Sequence, residues 1–341
     1  MIIVLTASYT SIPIMLSLLL QKGEEFRILT PDKNIYDFFC MLFDKNYIIF
    51  YNSPNYSLYP FKSKGLINKI SDINKYKKCL KELINQWNSN EIYTSDIIAF
   101  CEFEFWLVRE LSRNNNIKFC PVVTVEDSTV EMNNLKGKLY EFINFLVYHT
   151  KPKACISDNR VTLRISESYL KSINSEYFKI GIDYVALNNL INEKFNLPNS
   201  KYLLLAGGVA GYFVDKENYV MVTDKIITFI ENEFGNNNIA VKSHPRFREY
   251  YSKENSLNKI SPLIPASLIV NNFECVIGYF STSLCEASKA GKKVITTVKL
   301  FNTADTNVTN MNTQYLISNM NSENPILFPE NFEEFKSIIK C

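Results

Sequence analysis

Short apolar runs, each followed by a polar turn and an amphipathic segment, constrain the fold of this chain more than any other feature. Residues 2–5, 201–206 and 276–280 are such runs, four to six residues long. Runs of this length, bounded by turn residues, are typical of strands that are buried on both faces. Strands that alternate with helical segments in this way predict parallel sheets covered by helices, which is the α/β class.

The alternation continues through both halves of the 341 residues, a length that suits two domains. We predict two doubly wound, Rossmann-like α/β domains that face a cleft. The N-terminal domain would span residues 1–185 and the C-terminal domain residues 186–341. Residues 185–200 are rich in asparagine and predict a linker between the two domains.

The composition is that of an ordinary globular protein, with 46% hydrophobic and 21% charged residues. The formal net charge is +2, and no basic stripe interleaved with aromatic residues occurs, so we expect no nucleic-acid partner. The eight cysteines are scattered without any Cys-x-x-Cys spacing. We therefore expect reduced thiols, a reducing compartment and no structural zinc.

The apolar N-terminus has the features of a strand, a turn and a buried helix. No Lys or Arg precedes its apolar run, and polar residues interrupt it, so a signal peptide is not expected. No uninterrupted run of about 18 apolar residues occurs in the sequence, and we expect no transmembrane span. The expected location is the cytoplasm, including peripheral contact with the inner face of the cytoplasmic membrane.

Residues 241–247 place a histidine at the end of a predicted strand. An apolar run with β-branched residues comes first and is followed by Lys242, His244 and Pro245. His244 is one of only two histidines in the sequence. Proline cannot continue a sheet ladder, so the strand ends there and His244 lies at the mouth of a loop.

Residues 276–291 predict a buried strand, a hydroxyl-rich turn and a helix that ends near a glycine. Ser281, Thr282 and Ser283 form the turn, and free amides at a helix N-terminus flanked by hydroxyls suit a phosphate. Gly207 and Gly208 follow another strand, where glycines let the backbone approach a phosphate or a sugar closely. Together these segments predict a nucleotide phosphate held from two sides.

A further stretch contains Glu126 and Asp127. Together with the His244-Pro245 segment and the hydroxyl turn, it makes a set of three motifs. In their order and types, the three motifs resemble those of bacterial sialyltransferases and polysialyltransferases that use CMP-activated nonulosonic acids. Ser128 stands where that family usually has glycine. The motifs span residues 125–283, about half of the chain.

The resemblance implies the two-domain GT-B fold and an inverting, metal-independent transfer of a sialic or related nonulosonic acid. The donor would be a CMP-sugar and the acceptor a hydroxyl of a bacterial surface glycan, either lipooligosaccharide or capsule. By resemblance, Asp127 is the base and Glu126 supports it, while a solvated turn before a helix is the alternative for both acids. His244 would stabilise the departing phosphate, and a buried structural histidine is its alternative.

Further binding roles also follow from the resemblance. The phosphate would be shared by Ser281, Thr282 and Ser283. Lys242, beside Pro245, would lie against the nucleotide. Ser267 takes the place of a ribose-binding glutamate. The polar loop after the first strand would face the acceptor, with a helix cap as the alternative; its residues are Thr6, Ser8 and Ser11. The sequence contains no Asp-x-Asp, and a donor with one phosphate has less need of a cation. We therefore expect no metal and no cofactor.

Three other functions remain open at this point. A CDP-glycerol glycerophosphotransferase of the teichoic-acid type also pairs His-Pro with a strand ending in Ser-Ser, but the N-terminal half lacks a second catalytic-looking histidine. A CMP-Kdo transferase is close to the leading hypothesis. A catalytically silent glycan-binding protein of the same fold is the non-enzyme alternative, because Ser128 and Ser267 depart from the family pattern.

Overall fold

The structure, a computed structural model, describes residues 1–6, 9–23, 25–51, 95–100, 117–119, 156–157, 160–161, 175–177, 182–207, 214–245, 258–302 and 306–341, together with isolated helical positions between 68 and 85. The chain divides into two compact units, Met1–Asp183 and Tyr184–Cys341. Each unit is built around its own parallel sheet.

The first unit contains a six-stranded sheet and two described helices. Its strands are β1 (Ile2–Thr6), β2 (Phe26–Thr30), β3 (Ile48–Phe50), β4 (Asp96–Phe100), β5 (Ile117–Phe119) and β8 (Ser175–Tyr177), and the short β6 (Ile156–Ser157) and β7 (Arg160–Val161) pair with each other. The order across the sheet is β3-β2-β1-β4-β5-β8, and every pairing in it is parallel. The helices are α1 (Ile12–Lys22) and α2 (Lys33–Leu42).

The helix ends of this unit follow from local chemistry. Gly23 ends α1 in the left-handed conformation, with φ 59°. Asp32 caps α2, because its carboxylate accepts hydrogen bonds from the backbone amides of Asn34 and Ile35 at 2.9 and 3.2 Å. One face of α2 is fully or almost fully buried, and its spacing is that of an amphipathic helix: Ile35, Phe38, Phe39 and Leu42.

The second unit contains a five-stranded parallel sheet and five described helices. The strands are β9 (Tyr202–Ala206), β10 (Ile239–Ser243), β11 (Asn258–Ile260), β12 (Cys275–Gly278) and β13 (Lys293–Thr296). The helices are α3 (Tyr184–Lys194), α4 (Lys216–Phe234), α5 (Thr282–Lys289), α6 (Thr306–Asn319) and α7 (Phe332–Lys340). The main core of this sheet buries apolar side chains from the sheet, α4 and α7, among them Val241, Ile277, Ile226, Ile230 and Phe335.

The strand order of the second sheet indicates where a ligand would bind. The order is β11-β10-β9-β12-β13, so the chain leaves β9 on one side for β10 and returns on the other side for β12. In an open α/β sheet, ligands bind outside the carboxyl ends of the strands at the point where the order reverses. That point lies beside β9. The predicted fold class, two doubly wound α/β domains, is confirmed by the sheet of each unit.

The predicted linker at 185–200 is wrong over most of its length, because α3 occupies Tyr184–Lys194. Leu187 and Ile191 lie four residues apart and are buried, whereas Asn189 and Asn192 face the solvent. The asparagines therefore belong to the exposed side of an amphipathic helix. The sequence also predicts helices at 102–114 and 137–148, and both segments lie outside the described residues.

Candidate functional site

The carboxyl edge of the second sheet carries three of the predicted site segments. Ala206 pairs with Ser243, and Leu205 pairs with Gly278, in the parallel register of β9 with its two neighbours. The loops after β10, β9 and β12 therefore begin within one residue of the same level. His244, Gly207 and the hydroxyl turn lie at this edge, on both sides of the strand where the order reverses.

The hydroxyl turn has the predicted helix-capping geometry. The Oγ atom of Ser281 accepts a hydrogen bond from the backbone amide of Ser283 at 3.2 Å, which makes Ser281 the N-cap of α5. Thr282 is exposed, and Ser283 is buried. The first turn of α5 thus presents an exposed hydroxyl and the positive end of the helix dipole at the sheet edge.

The histidine loop begins where the proline predicts. Strand β10 ends at Ser243, and His244 and Pro245 follow as half-buried residues at the start of a turn. Lys242 differs from the prediction, because its side chain is only 3% exposed. Its Nζ donates to the carbonyl oxygens of Ser243 and, at 3.0 Å, Pro262. We therefore revise its role from nucleotide contact to a structural link between β10 and the segment after β11.

The glycine segment starts in a conformation that favours glycine. Gly207 has a φ of 98°, and its backbone amide donates a 2.6 Å hydrogen bond to the Oη atom of Tyr219 on α4. This amide is therefore bonded to the protein, and the predicted close approach of a phosphate or a sugar to the glycine backbone stays a prediction. Gly208 lies outside the described residues.

The other predicted residues divide into buried ones and ones outside the described residues. Thr6 and Ser11 are completely buried, and their hydroxyl oxygens lie 2.6 Å apart, so we correct their acceptor-side role to an internal contact between β1 and the start of α1. Ser267 is buried in the 3-10 turn Ala266–Leu268. Ser8, Glu126 and Asp127 lie outside the described residues, so their predicted roles stay predictions.

Glu286 is a residue that the sequence reasoning missed. It lies on α5, four residues after Thr282 and therefore on the same face of the helix. Its Oε2 atom is buried and has no hydrogen-bond partner among the described residues. The spacing of four residues from the hydroxyl turn was a readable signal.

The surroundings of Glu286 favour its neutral form. Burial raises the pKa of its carboxyl from 4.5 to about 7, while the nearby positive charge of Lys289 acts in the opposite direction. On α3, burial raises the pKa of the Tyr184 phenol, and the charge of Glu286 raises it further. A buried carboxyl oxygen without a donor can be satisfied by a ligand that brings a hydroxyl or amide hydrogen.

The described parts of the chain contain neither a metal-binding cluster nor a membrane-spanning helix. No cluster of three or more His, Cys, Asp or Glu side chains that could hold a metal ion occurs there. No helix in the same parts is long and apolar enough to cross a membrane.

No protein-family model matches the chain, and no curated protein matches it significantly. Solved structures do match. The glycosyltransferase SnogD from Streptomyces nogalater superposes with a TM-score of 0.47 and 10% identity, over 99% of this chain and 90% of that one. E. coli heptosyltransferase WaaC with ADP gives a TM-score of 0.45 and 10% identity, over 99% of this chain and 98% of that one.

A β-Kdo 2,4-transferase, KpsC of Thermosulfurimonas dismutans, matches a smaller region. It shares 18% identity over 33% of this chain, with a TM-score of 0.25, and this chain spans 43% of that protein's chain. All three scores lie below 0.5, so we base no functional argument on them.

Proposed function

We propose that this chain is an inverting glycosyltransferase that moves a sialic acid or a related nonulosonic acid from a CMP-sugar to a hydroxyl of a bacterial surface glycan. The supporting observation is that the His244 loop and the hydroxyl-capped start of α5 follow the strands on either side of β9 at one sheet edge. A phosphate between them receives donors from two directions. That is what the leaving group of a CMP-sugar requires.

The chemistry that we propose has one bond-forming and one bond-breaking step at the anomeric carbon. The acceptor oxygen attacks that carbon, and the bond to the phosphate oxygen of CMP breaks, with its electron pair leaving on CMP. Asp127 takes the proton of the acceptor hydroxyl. The imidazole of His244 and the first turn of α5 donate hydrogen bonds to the phosphate as its charge increases.

Glu286 supplies a hydrogen-bond acceptor beside the hydroxyl turn. We propose that its buried carboxylate accepts hydrogen bonds from the ribose hydroxyls of the donor, a role that the resemblance had assigned to the position of Ser267. Its unpartnered Oε2 atom supports this assignment. Hydroxyl donors stabilise the charged form of a carboxylate, so donor binding should lower the pKa of Glu286 from about 7.

The proposal is tested by following nucleotide release from a panel of donors. The purified protein is incubated with CMP-sialate, CMP-Kdo, CDP-glycerol or UDP-N-acetylglucosamine, with and without a lipooligosaccharide-derived acceptor. We expect acceptor-dependent release of CMP from CMP-sialate and no release from CDP-glycerol or the UDP-sugar. Turnover of CDP-glycerol alone would identify a glycerophosphotransferase, and turnover of CMP-Kdo alone a Kdo transferase. Glycan binding without turnover of any donor would identify a binding protein.

A further inference from the structure

Tyr219 connects the first turns of α4 to the sheet edge. Its Oη atom accepts the hydrogen bond from the Gly207 amide at 2.6 Å, and Gly207 has the positive φ of 98°. A half-buried peptide N–H needs an acceptor, and the buried phenol oxygen of Tyr219 supplies one here. Substituting this tyrosine would leave the amide of the residue after β9 without its acceptor.

The ring of Tyr219 continues this connection across the sheet edge. It stacks on Phe301, which follows β13, with ring centroids 5.5 Å apart and an interplanar angle of 10°. Phe301 in turn meets Tyr279, the first residue after β12, edge to face at 5.4 Å. The three rings are 3–7% exposed, so the group is packed on all sides.

Two hydrogen bonds between side chains and backbone atoms fix the segments that carry these three rings. The Thr296 hydroxyl donates to the carbonyl oxygen of Tyr279 at 2.7 Å. The backbone amide of Asn302 donates to Oδ1 of Asn218, the neighbour of Tyr219, at 2.9 Å. Tyr279 lies two residues before Ser281, the N-cap of α5. The start of α4 is thereby joined to the end of β9 and to the strand end that leads to the Ser281 turn.

We infer that Tyr219 is the positioning residue of the donor site, an assignment that rests on the proposed function. Its hydroxyl holds the Gly207 backbone, and its ring, through Phe301 and Tyr279, holds the strand end that leads to the Ser281 turn. The end of β9 and the strand end that leads to the hydroxyl turn are therefore fixed before the donor arrives. A preformed site avoids the cost of ordering the backbone when the ligand binds.

The test distinguishes the role of the Tyr219 hydroxyl from the role of its ring. Tyr219→Phe keeps the stack on Phe301 and removes the hydroxyl that accepts the hydrogen bond of the Gly207 amide. The matched control is Tyr202→Phe, at the opposite end of β9, where the ring packs against Phe234 at 4.9 Å. For both variants, the dissociation constant of CMP, the KM for CMP-sialate, kcat and the hydrogen exchange of the Gly207 amide are measured.

We expect Tyr219→Phe to raise the CMP dissociation constant and the KM about tenfold, the scale of one lost hydrogen bond, with kcat within about twofold of wild type. The Gly207 amide should exchange about tenfold faster in this variant. Tyr202→Phe should change none of these quantities. If Tyr219 were only structural, Tyr219→Phe would have a lower melting temperature than wild type and an unchanged CMP affinity. That result would overturn the inference.

The exchange measurement separates this inference from the proposed function. If the wild-type protein does not bind CMP, the proposed function fails. In that case, faster exchange of the Gly207 amide in Tyr219→Phe would still support the part of the inference that concerns the Gly207 backbone. Unchanged exchange in Tyr219→Phe overturns the positioning role, whichever donor the protein uses.

Discussion

Gly278 of β12 lies so close to Leu205 of β9 that no other side chain fits between the two strands without movement. A Cβ atom at position 278 would lie 3.2 Å from the Leu205 Cβ and 3.4 Å from its carbonyl oxygen. On its other side, Leu284 of α5 would be 3.5 Å away. The strands on both sides of the order reversal and the helix that begins with the hydroxyl turn are therefore tightly packed at this point.

Gly278→Ala should lower the free energy of unfolding by roughly 1–3 kcal/mol, the usual cost of overpacking a well-packed core. The cost arises from space and not from backbone strain, because Gly278 is not among the glycines with positive φ. Urea denaturation of the two proteins measures it. Equal midpoints with equal slopes would show that β9 and β12 separate without cost.

The buried carboxyl of Glu286 should make stability fall as the pH rises. Its pKa in the folded protein, about 7, lies above the ordinary value of 4.5, so the folded state holds its proton more tightly than the unfolded state. The contribution is fully present below pH 4.5 and is lost as the pH rises through about 7. At about 1.4 kcal/mol per pKa unit it amounts to roughly 3 kcal/mol.

Urea denaturation at pH 4.5 and pH 8 measures this effect in wild type and in Glu286→Gln. The variant should be more stable than wild type at pH 8 and close to it at pH 4.5. The control is Glu274→Gln, because the Glu274 side chain is 71% exposed beside Lys201. If Glu286→Gln keeps the wild-type pH dependence, the carboxyl is not the group that titrates.

Most elements could be predicted from sequence because their signals are local. Strand β10 ends where Pro245 predicts, and the hydroxyl turn at the start of α5 was identified from residue type. Helix α2 was missed although Asp32 and the spacing of its apolar residues mark it. Helix α3 was missed because the asparagines around Leu187 favour a linker. The spacing of four residues between its buried apolar positions indicates the helix.

The roles of individual site residues were harder to predict because they depend on partners far away in sequence. Lys242 looked like a nucleotide ligand, yet it bonds the carbonyl oxygen of Pro262, 20 residues away. Thr6 and Ser11 looked like a polar loop, but both hydroxyls are buried against each other. Burial is set by tertiary packing, so a polar residue at a strand end does not by itself reveal which way it faces.

Asp127→Asn should reduce transfer to the acceptor by roughly 100- to 10,000-fold, the usual contribution of a general base. Asparagine keeps the size of the side chain and most of its hydrogen bonding but cannot take a proton. CMP affinity should stay within about twofold, because the nucleotide is assigned to the second unit. The control is Glu126→Gln, which should cost less. Loss of CMP binding together with rate would make Asp127 structural.

Activity should survive an excess of EDTA, since the sequence contains no Asp-x-Asp and a single phosphate can be neutralised by hydrogen-bond donors. Initial rates are compared before and after chelation, with added magnesium or manganese as the control. A complete loss of activity that only a divalent cation restores would contradict a metal-independent transfer.

Acceptor-dependent release of CMP from CMP-sialate, compared between wild type and His244→Ala, tests the central claim most directly. The donor role of His244 grows as charge develops on the departing phosphate, so its loss should affect the transition state more than the bound ground state. We expect the wild-type protein to release CMP only with acceptor, and His244→Ala to be about 100-fold slower with nearly unchanged CMP affinity. A wild-type rate in His244→Ala would contradict the account.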